Sequence, residues 1–356
     1  MQRTEEQKQR IAIWLEELPK YVFTSLEDIE FQGWLTKERL SYEEALEHRF
    51  LPMPKGMPWG AKWEYGWFKT EIILPEEAEG KRIYLHPDVG GEMLVWVNGQ
   101  IVGSRDLQHD GITLTRCGHK GDHYEIVLES YAGHGPRLEN GGPCPPERVA
   151  VPEPPECQVF VGQCDYGIWN EDAFQLMADV YTLKQLYEGL DPKSLRAMKV
   201  REGLVKFTEI VDFELSPGER NETFRQARAV LKPLLQCNNG STAPVFSIIG
   251  QSHLDLAWKW TWEETRRKCA RTISNQLALS DEYENYKFLL CEPPIMENLK
   301  ENYPELYERT KEKVRSGAFI PEGGVYVESD TNLVSGESLI RQCIYGRKWY
   351  KEELGV

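Results

Sequence analysis

The stretch Gly250-Gln251-Ser252-His253-Leu254-Asp255-Leu256-Ala257-Trp258 holds the side chains with the clearest chemical potential. It follows the apolar run Val245-Phe246-Ser247-Ile248-Ile249, whose composition predicts a buried strand of parallel type. From Glu263 the spacing becomes helical, so His253 and Asp255 fall where a strand has stopped and a helix has not begun. In extended chain, residues two apart project to the same side. An imidazole nitrogen and a carboxylate oxygen can therefore be aimed at one point, which is half of a Zn²⁺ site. Ligands in open α/β sheets and barrels bind at the carboxyl ends of the strands, where this pair lies. On spacing alone the signal is weak, and a polar loop with satisfied hydrogen bonds is the commoner case.

Other carboxylates have plainer readings. Glu263 and Glu264 open a helix, where the macrodipole stabilises acidic residues whatever their role. Glu328 and Asp330 are two apart in a loop beside the strand ends; they read as site-wall or structural residues rather than a catalytic pair. Glu337 reads as a capping residue with Ser335. Cys117, His119, His123, Cys144, Cys157 and Cys164 contain no C-x-x-C pair, so they read as ordinary thiols and loop histidines rather than a metal cluster.

The elements that must position the pair divide the chain into four. Residues 1–50 form a helical segment, with Ile11, Trp14, Leu15 and Leu18 at helical spacing and Pro19 as a stop. Residues 51–185 change to a period of two: Trp67–Leu74, Arg82–His86, Met93–Val97, Tyr124–Glu129 and Phe174–Val180 read as strands, and Asn98-Gly99 as a tight hairpin turn. This pattern predicts an antiparallel β-sandwich. Trp63, Trp67 and Trp96 read as core before they read as a sugar-stacking platform. Gly135 to Pro155 is a long Pro/Gly-rich loop. Residues 186–240 form a helical linker, capped at Asp191-Pro192, with a second helix from Asn221 to Leu235. Residues 241–356 alternate strand and helix: strands at Val245, Tyr286–Leu290 and Phe319, helices from Glu263, over Pro294–Arg315 and over Ser335–Glu353. This predicts the first βα units of an α/β, barrel-like domain, and three strands do not close a barrel.

Composition excludes several classes of function. The 356 residues carry 42 Lys+Arg against 57 Asp+Glu, a net charge of −15 that argues against a nucleic-acid or anionic-membrane partner. No apolar run reaches the ~20 residues of a membrane span, and the polar start Met1-Gln2-Arg3-Thr4 is not a signal peptide. Eight cysteines without paired spacing suggest reduced thiols and a cytoplasmic location.

The linked motifs Gly250-x-Ser252-His253-Leu254-Asp255-x-Ala257-Trp258, Glu263-Glu264-Thr265, Arg267–Thr272, Tyr303–Leu306, Gly323–Asn332, Ser335–Ser338, Arg341-Gln342 and Tyr345-Gly346 resemble, in order, the opening of the catalytic domain of glycoside hydrolase family 38. These are zinc-dependent α-mannosidases, and the similarity is to the cytosolic and vacuolar branch. Trp67-Phe68 and Trp96–Gly99 are similar to the jelly-roll, galactose-binding-like modules of glycosidases. The resemblance implies a retaining hydrolase acting on mannose-containing oligosaccharides, with Zn²⁺, or another divalent metal such as Co²⁺, bound by two Asp and two His. By position, His253 and Asp255 are two metal ligands and Trp258 stacks under the sugar. The nucleophile, the acid/base and the other ligands are expected beyond Val356, so no catalytic residue is assigned within the chain, which reads as an amino-terminal portion. The resemblance further implies a homo-oligomer for the full-length protein. Gln251, Thr261, Tyr326 and the run Cys291–Pro294 depart from the family pattern and bear on sub-site shape. Competing readings are a non-catalytic carbohydrate-binding fragment and a piece that associates with a separate chain.

Overall fold

A computed structural model of the protein describes residues 2–136 and 153–356. It begins with α1 (Gln2–Glu17), β1 (Phe23–Asp28), β2 (Phe31–Thr36), α2 (Tyr42–Leu46), β3 (Leu51–Met53), β4 (Pro58–Trp59) and β5 (Tyr65–Ile73). The strands β6 (Ile83–Pro87), β7 (Glu92–Val97), β8 (Gln100–Arg105), β9 (Ile112–Thr115), β10 (His123–Tyr131), β11 (Val159–Phe160) and β12 (Cys164–Trp169) follow. Three helices come next, α3 (Glu171–Gly189), α4 (Leu195–Ile210) and α5 (Pro217–Leu235). The last part runs β13 (Gly250–Gln251), α6 (Trp262–Glu282), β14 (Phe288–Leu290), α7 (Pro293–Asn302), α8 (Pro304–Arg315), β15 (Phe319–Pro321) and α9 (Gly336–Trp349).

Two antiparallel sheets, of order β1-β12-β6-β9 and β3-β2-β5-β10-β7-β8, enclose a core that includes Phe31, Phe68, Ile83, Leu85, Val95 and Leu128. The turn between β7 and β8 is the expected Asn98-Gly99, with φ of 49° and 78°, left-handed angles suited to a hairpin. The six-stranded sheet is covered on both faces. Along β7, Met93, Val95 and Val97 face the sandwich core, while Leu94 and Trp96 face the helix α6. In β10, Ile126 and Leu128 face inward and Val127 faces α6. The period of two is intact, but both phases are apolar, as in sheets buried on both sides. Trp67 and Trp96 are accordingly buried, in the layer between sandwich and α6.

Several sequence expectations are corrected. The sandwich begins before residue 51, since β1 and β2 enter its sheets; their short runs carry few of the branched residues that mark strands. Phe174–Val180 lies inside α3, not in a strand. Asn170 caps that helix through the Ala173 N–H, and Ala173, Leu176, Val180 and Leu183 are buried at helical spacing. The sandwich strands thus end at Trp169 rather than near 185. In the linker Ser194, not Asp191, caps α4, and α5 starts at Pro217. Helices α1, α3, α4 and α5 share one core around Leu176, Leu204, Phe207 and Phe224. The helix expected over Pro294–Arg315 is broken at Tyr303-Pro304 into α7 and α8, because proline supplies no N–H to continue the ladder. The strand expected at Val245 is reduced to Gly250-Gln251, and Val245, Phe246 and Ile248 are 92%, 83% and 94% exposed. Nothing among the described residues packs over them, and an apolar strand without covering layers has no driving force to form.

Parallel pairing of Gly250 with Phe288 and of Phe288 with Phe319 makes a three-stranded sheet, β13-β14-β15, flanked by helices. The fold is therefore a jelly-roll sandwich, a helical unit and the opening of an α/β domain. Gly135 to Pro155, including Cys144, falls largely outside the described residues.

Candidate functional site

The three parallel strands end side by side, and the segments leaving them build the site. Ser252 and His253 follow β13, Cys291 and Glu292 follow β14, and the loop from Glu322 to Glu328 follows β15. That loop is anchored from both flanks. Gln342 of α9 accepts the Tyr326 and Val327 N–H groups at 3.0 and 2.8 Å, and the Tyr326 hydroxyl donates to Glu297 of α7 at 2.6 Å. Glu328 is thereby held against His253, with Oε2 2.7 Å from Nδ1.

The opposite ring nitrogen, Nε2, lies 3.5 Å from Oδ1 of Asp255. The structure therefore brings together the two residues expected to share a ligand. Its hydrogen bond to Glu328, reinforced by the charges of Glu328 and Asp255, raises the His253 pKa above the ordinary value against the opposing effect of burial. Gln251, in the position that departs from the family pattern, donates to Oε1 of Glu328 at 3.4 Å and fixes the carboxylate from its other side. Glu292 completes the wall. Its Oε1 accepts the Glu328 N–H at 3.0 Å, while Oε2 is buried without a partner among the described residues. Burial pushes this carboxyl up, against the pull of the Glu328 N–H.

Would these residues suit a divalent ion? Two donors of a tetrahedral zinc centre, each at about 2.0–2.1 Å, stand about 3.3–3.4 Å apart. The 3.5 Å separation of His253 Nε2 and Asp255 Oδ1 is close to that edge. A metal-binding histidine characteristically gives its second nitrogen to a carboxylate, the arrangement His253 has with Glu328. Among the described residues no group of three or more His, Cys, Asp or Glu is disposed to hold a metal. The donors present thus fit two positions of such a centre.

Trp258 is 65% exposed and meets Trp260 edge-on at 5.9 Å, with the Lys259 ammonium 4.4 Å from its ring centroid. Asp330 is turned to its own loop, accepting the Asn332 N–H at 3.0 Å. Glu337 pairs with Arg341 at 2.9 Å, and it is Ser335 that caps α9. His119 and His123 pair with Glu79 and Glu71 on the surface. Glu328 and Glu292 were under-read in sequence. The usable signal for Glu292 was its place directly after a strand.

Glu264 belongs to the contact between domains. It receives the Tyr65 hydroxyl at 2.7 Å and pairs with Arg271. Beside it, Arg267 Nε is 2.7 Å from Oε1 of Glu129, both side chains being 3% exposed. Lys268 and Arg271 reach Glu92 at 2.6 and 3.4 Å. The helix that follows the metal-type pair is thus fastened to the sandwich by buried charges.

Known proteins agree with this architecture. Residues 26–147 match the family model described as the α-mannosidase jelly roll domain, and residues 244–356 match that of the glycosyl hydrolases family 38 N-terminal domain. "Alpha-mannosidase G" of Dictyostelium discoideum is 32% identical over 332 residues, covering 89% of this chain and 29% of its own length. "Alpha-mannosidase 2C1" of Mus musculus is 30% identical, covering 92% and 31%, and "Alpha-mannosidase" of Saccharomyces cerevisiae is 27% identical, covering 84% and 28%. The chain thus spans about three tenths of the length of these relatives. Among solved structures, Ruminococcus gnavus beta-glucuronidase covers 42% of this chain and 28% of its own, with a TM-score of 0.31 and 14% identity, values too low to bear on the argument. The sandwich thus carries the match to the α-mannosidase jelly roll domain, and the α/β part carries the match to the glycosyl hydrolases family 38 N-terminal domain.

Proposed function

We propose that this chain serves the hydrolysis of terminal α-mannosyl residues from oligosaccharides, in the retaining manner, with His253 and Asp255 as two ligands of a zinc-class divalent ion. The observation that carries the reading is the convergence of His253 Nε2 and Asp255 Oδ1 at a strand exit, with Nδ1 already engaged by Glu328. Bound there, such an ion supplies positive charge and a grip on vicinal sugar hydroxyls. Glu328 fixes the imidazole so that Nε2 is the nitrogen presented. Asp255 offers a second, anionic donor from the same side of the loop. Trp258 offers an exposed ring for the apolar face of a pyranose, where stacking excludes water. The nucleophile and acid/base of a retaining glycosidase are two carboxyl groups about 5–5.5 Å apart, and none of the residues described above is assigned either role.

The relatives' printed names support the substrate class. Unpaired, scattered cysteines support a cytoplasmic setting, and no helix among the described residues is long and apolar enough to cross a membrane. Exposed Val245, Phe246 and Ile248, with Ile340 and Ile344 of α9, support the association of this part with further polypeptide. The test is metal content and aryl α-mannoside hydrolysis of the intact protein and its His253→Ala and Asp255→Ala variants. Loss of both properties is expected; retention of bound metal and activity would overturn the assignment.

A further inference from the structure

One cavity of about 280 Å³ opens between the two domains and touches the site from the sandwich side. His253 and Trp260 line it from the α/β part, with Asn275 and Gln276 of α6, and Asp106 and His109 line it from the turn after β8 of the jelly roll. We propose that this cavity is a sugar-binding subsite, taking one neutral, hydroxyl-rich ring of the substrate next to the His253–Asp255 pair, with the jelly-roll turn as one of its walls. The inference rests on the α-mannosidase reading and adds to it a role for the sandwich.

Charge selects the ligand class. The basic groups at the cavity are already charge-paired, Lys268 and Arg271 with Glu92 and Arg271 also with Glu264, although the buried Arg271 Nη1 has no hydrogen-bond partner among the described residues. A charged guest would have to compete with these ion pairs, whereas hydroxyl groups, which can both donate and accept, find partners of fixed direction without breaking them. Asn275 accepts the Ser104 N–H through Oδ1 at 2.7 Å, and Gln276 accepts the Tyr286 hydroxyl through Oε1. Each amide is oriented by that bond, and its N–H groups have no partner among the described residues. On the facing wall Asp106 accepts the Gln108 and His109 N–H groups at 2.8 and 2.9 Å, so its turn is rigid, and His109 Nδ1 sits 3.0 Å from the carboxylate. The aromatic surface that sugar sites favour is supplied by Trp260, half-buried and held by its N–H to Thr265 at 3.0 Å. The volume lies just below the ~300 Å³ at which ligand pockets begin, a size for one ring rather than a chain.

Two variants of the intact enzyme, His109→Ala and Asp106→Asn, test this; the asparagine keeps an oxygen for the turn's two N–H groups. The readout is the ratio of kcat/KM for α-linked mannobioses to kcat/KM for an aryl α-mannoside. A lost sugar hydrogen bond lowers that ratio roughly three- to tenfold. A ratio within about twofold of wild type in both variants, on the same energy scale, would overturn the subsite. Absence of hydrolysis of both substrates by the unaltered enzyme would instead overturn the α-mannosidase reading, and the subsite with it.

Discussion

Arg267→Met removes one charge from the most deeply buried ion pair between the domains while keeping most of the side chain's apolar volume. In the native protein Arg267 Nε lies 2.7 Å from Oε1 of Glu129, and the guanidinium carbon is 4.0 Å from the Tyr65 ring centroid. With both partners 3% exposed, the variant leaves the Glu129 carboxylate in the interface with no cation of its own. Breaking a buried pair on one side costs about 3–5 kcal/mol, and the lost contact with Tyr65 adds about 0.5–2 kcal/mol. Replacing both partners by apolar residues leaves no orphaned charge, so Glu129→Leu with Arg267→Met is expected within about 1–2 kcal/mol of wild type. Urea unfolding followed by tryptophan fluorescence is the assay, since Trp67 and Trp96 lie in this layer. A single variant that costs under about 1 kcal/mol, or a double variant as unstable as the single, would refute the claim that this buried pair joins sandwich to helix.

Two further outcomes follow from the electrostatics. Glu328→Gln should bring the His253 pKa back toward its ordinary value and weaken zinc binding about 10–100-fold; imidazole titration by NMR of metal-free protein and a zinc competition assay check it, and an unmoved titration would contradict it. The native pKa is raised, so the stabilisation from this contact is complete below the ordinary histidine pKa and is lost as pH rises through the folded value. At Glu92, burial pushes the carboxyl up, but Arg271 and Lys268 outweigh it and hold the pKa low. The interface stability it provides is therefore present above the ordinary glutamate pKa, about 4.3, and lost as pH falls through the depressed folded value. Stability measured against pH should show this acid-side loss in wild type and a smaller one in Glu92→Gln.

Much of this was readable in the chain because it is local. Asn98-Gly99 states its turn by the angles the two residues tolerate, and His253 and Asp255 state their common side by being two apart in extended chain. The site's position at the strand exits followed from the alternation of strand and helix around them. Less legible were features set by what lies on the far side of an element. Met93–Val97 reads as a sandwich strand, yet Leu94 and Trp96 are apolar because α6 covers them; no residue within the run says so. Val245–Ile249 reads as buried, yet among the described residues nothing covers Val245, Phe246 or Ile248. Glu328 gave no sign of its contact with His253, 75 residues away, because that contact depends on Gln342 and Glu297 holding the loop. Phe174–Val180 is locally legible as helix, since Asn170 ahead of it is a cap and its buried residues fall at helical spacing, although its apolar run also suits a strand.

The central claim is that one imidazole and one carboxylate at the exit of β13 share a divalent cation. Anomalous diffraction at the zinc edge, from crystals of the intact protein grown with zinc, measures this most directly. A peak is expected within about 2.3 Å of both His253 Nε2 and an Asp255 carboxylate oxygen. A peak bound elsewhere, or none in the presence of saturating zinc, would contradict it.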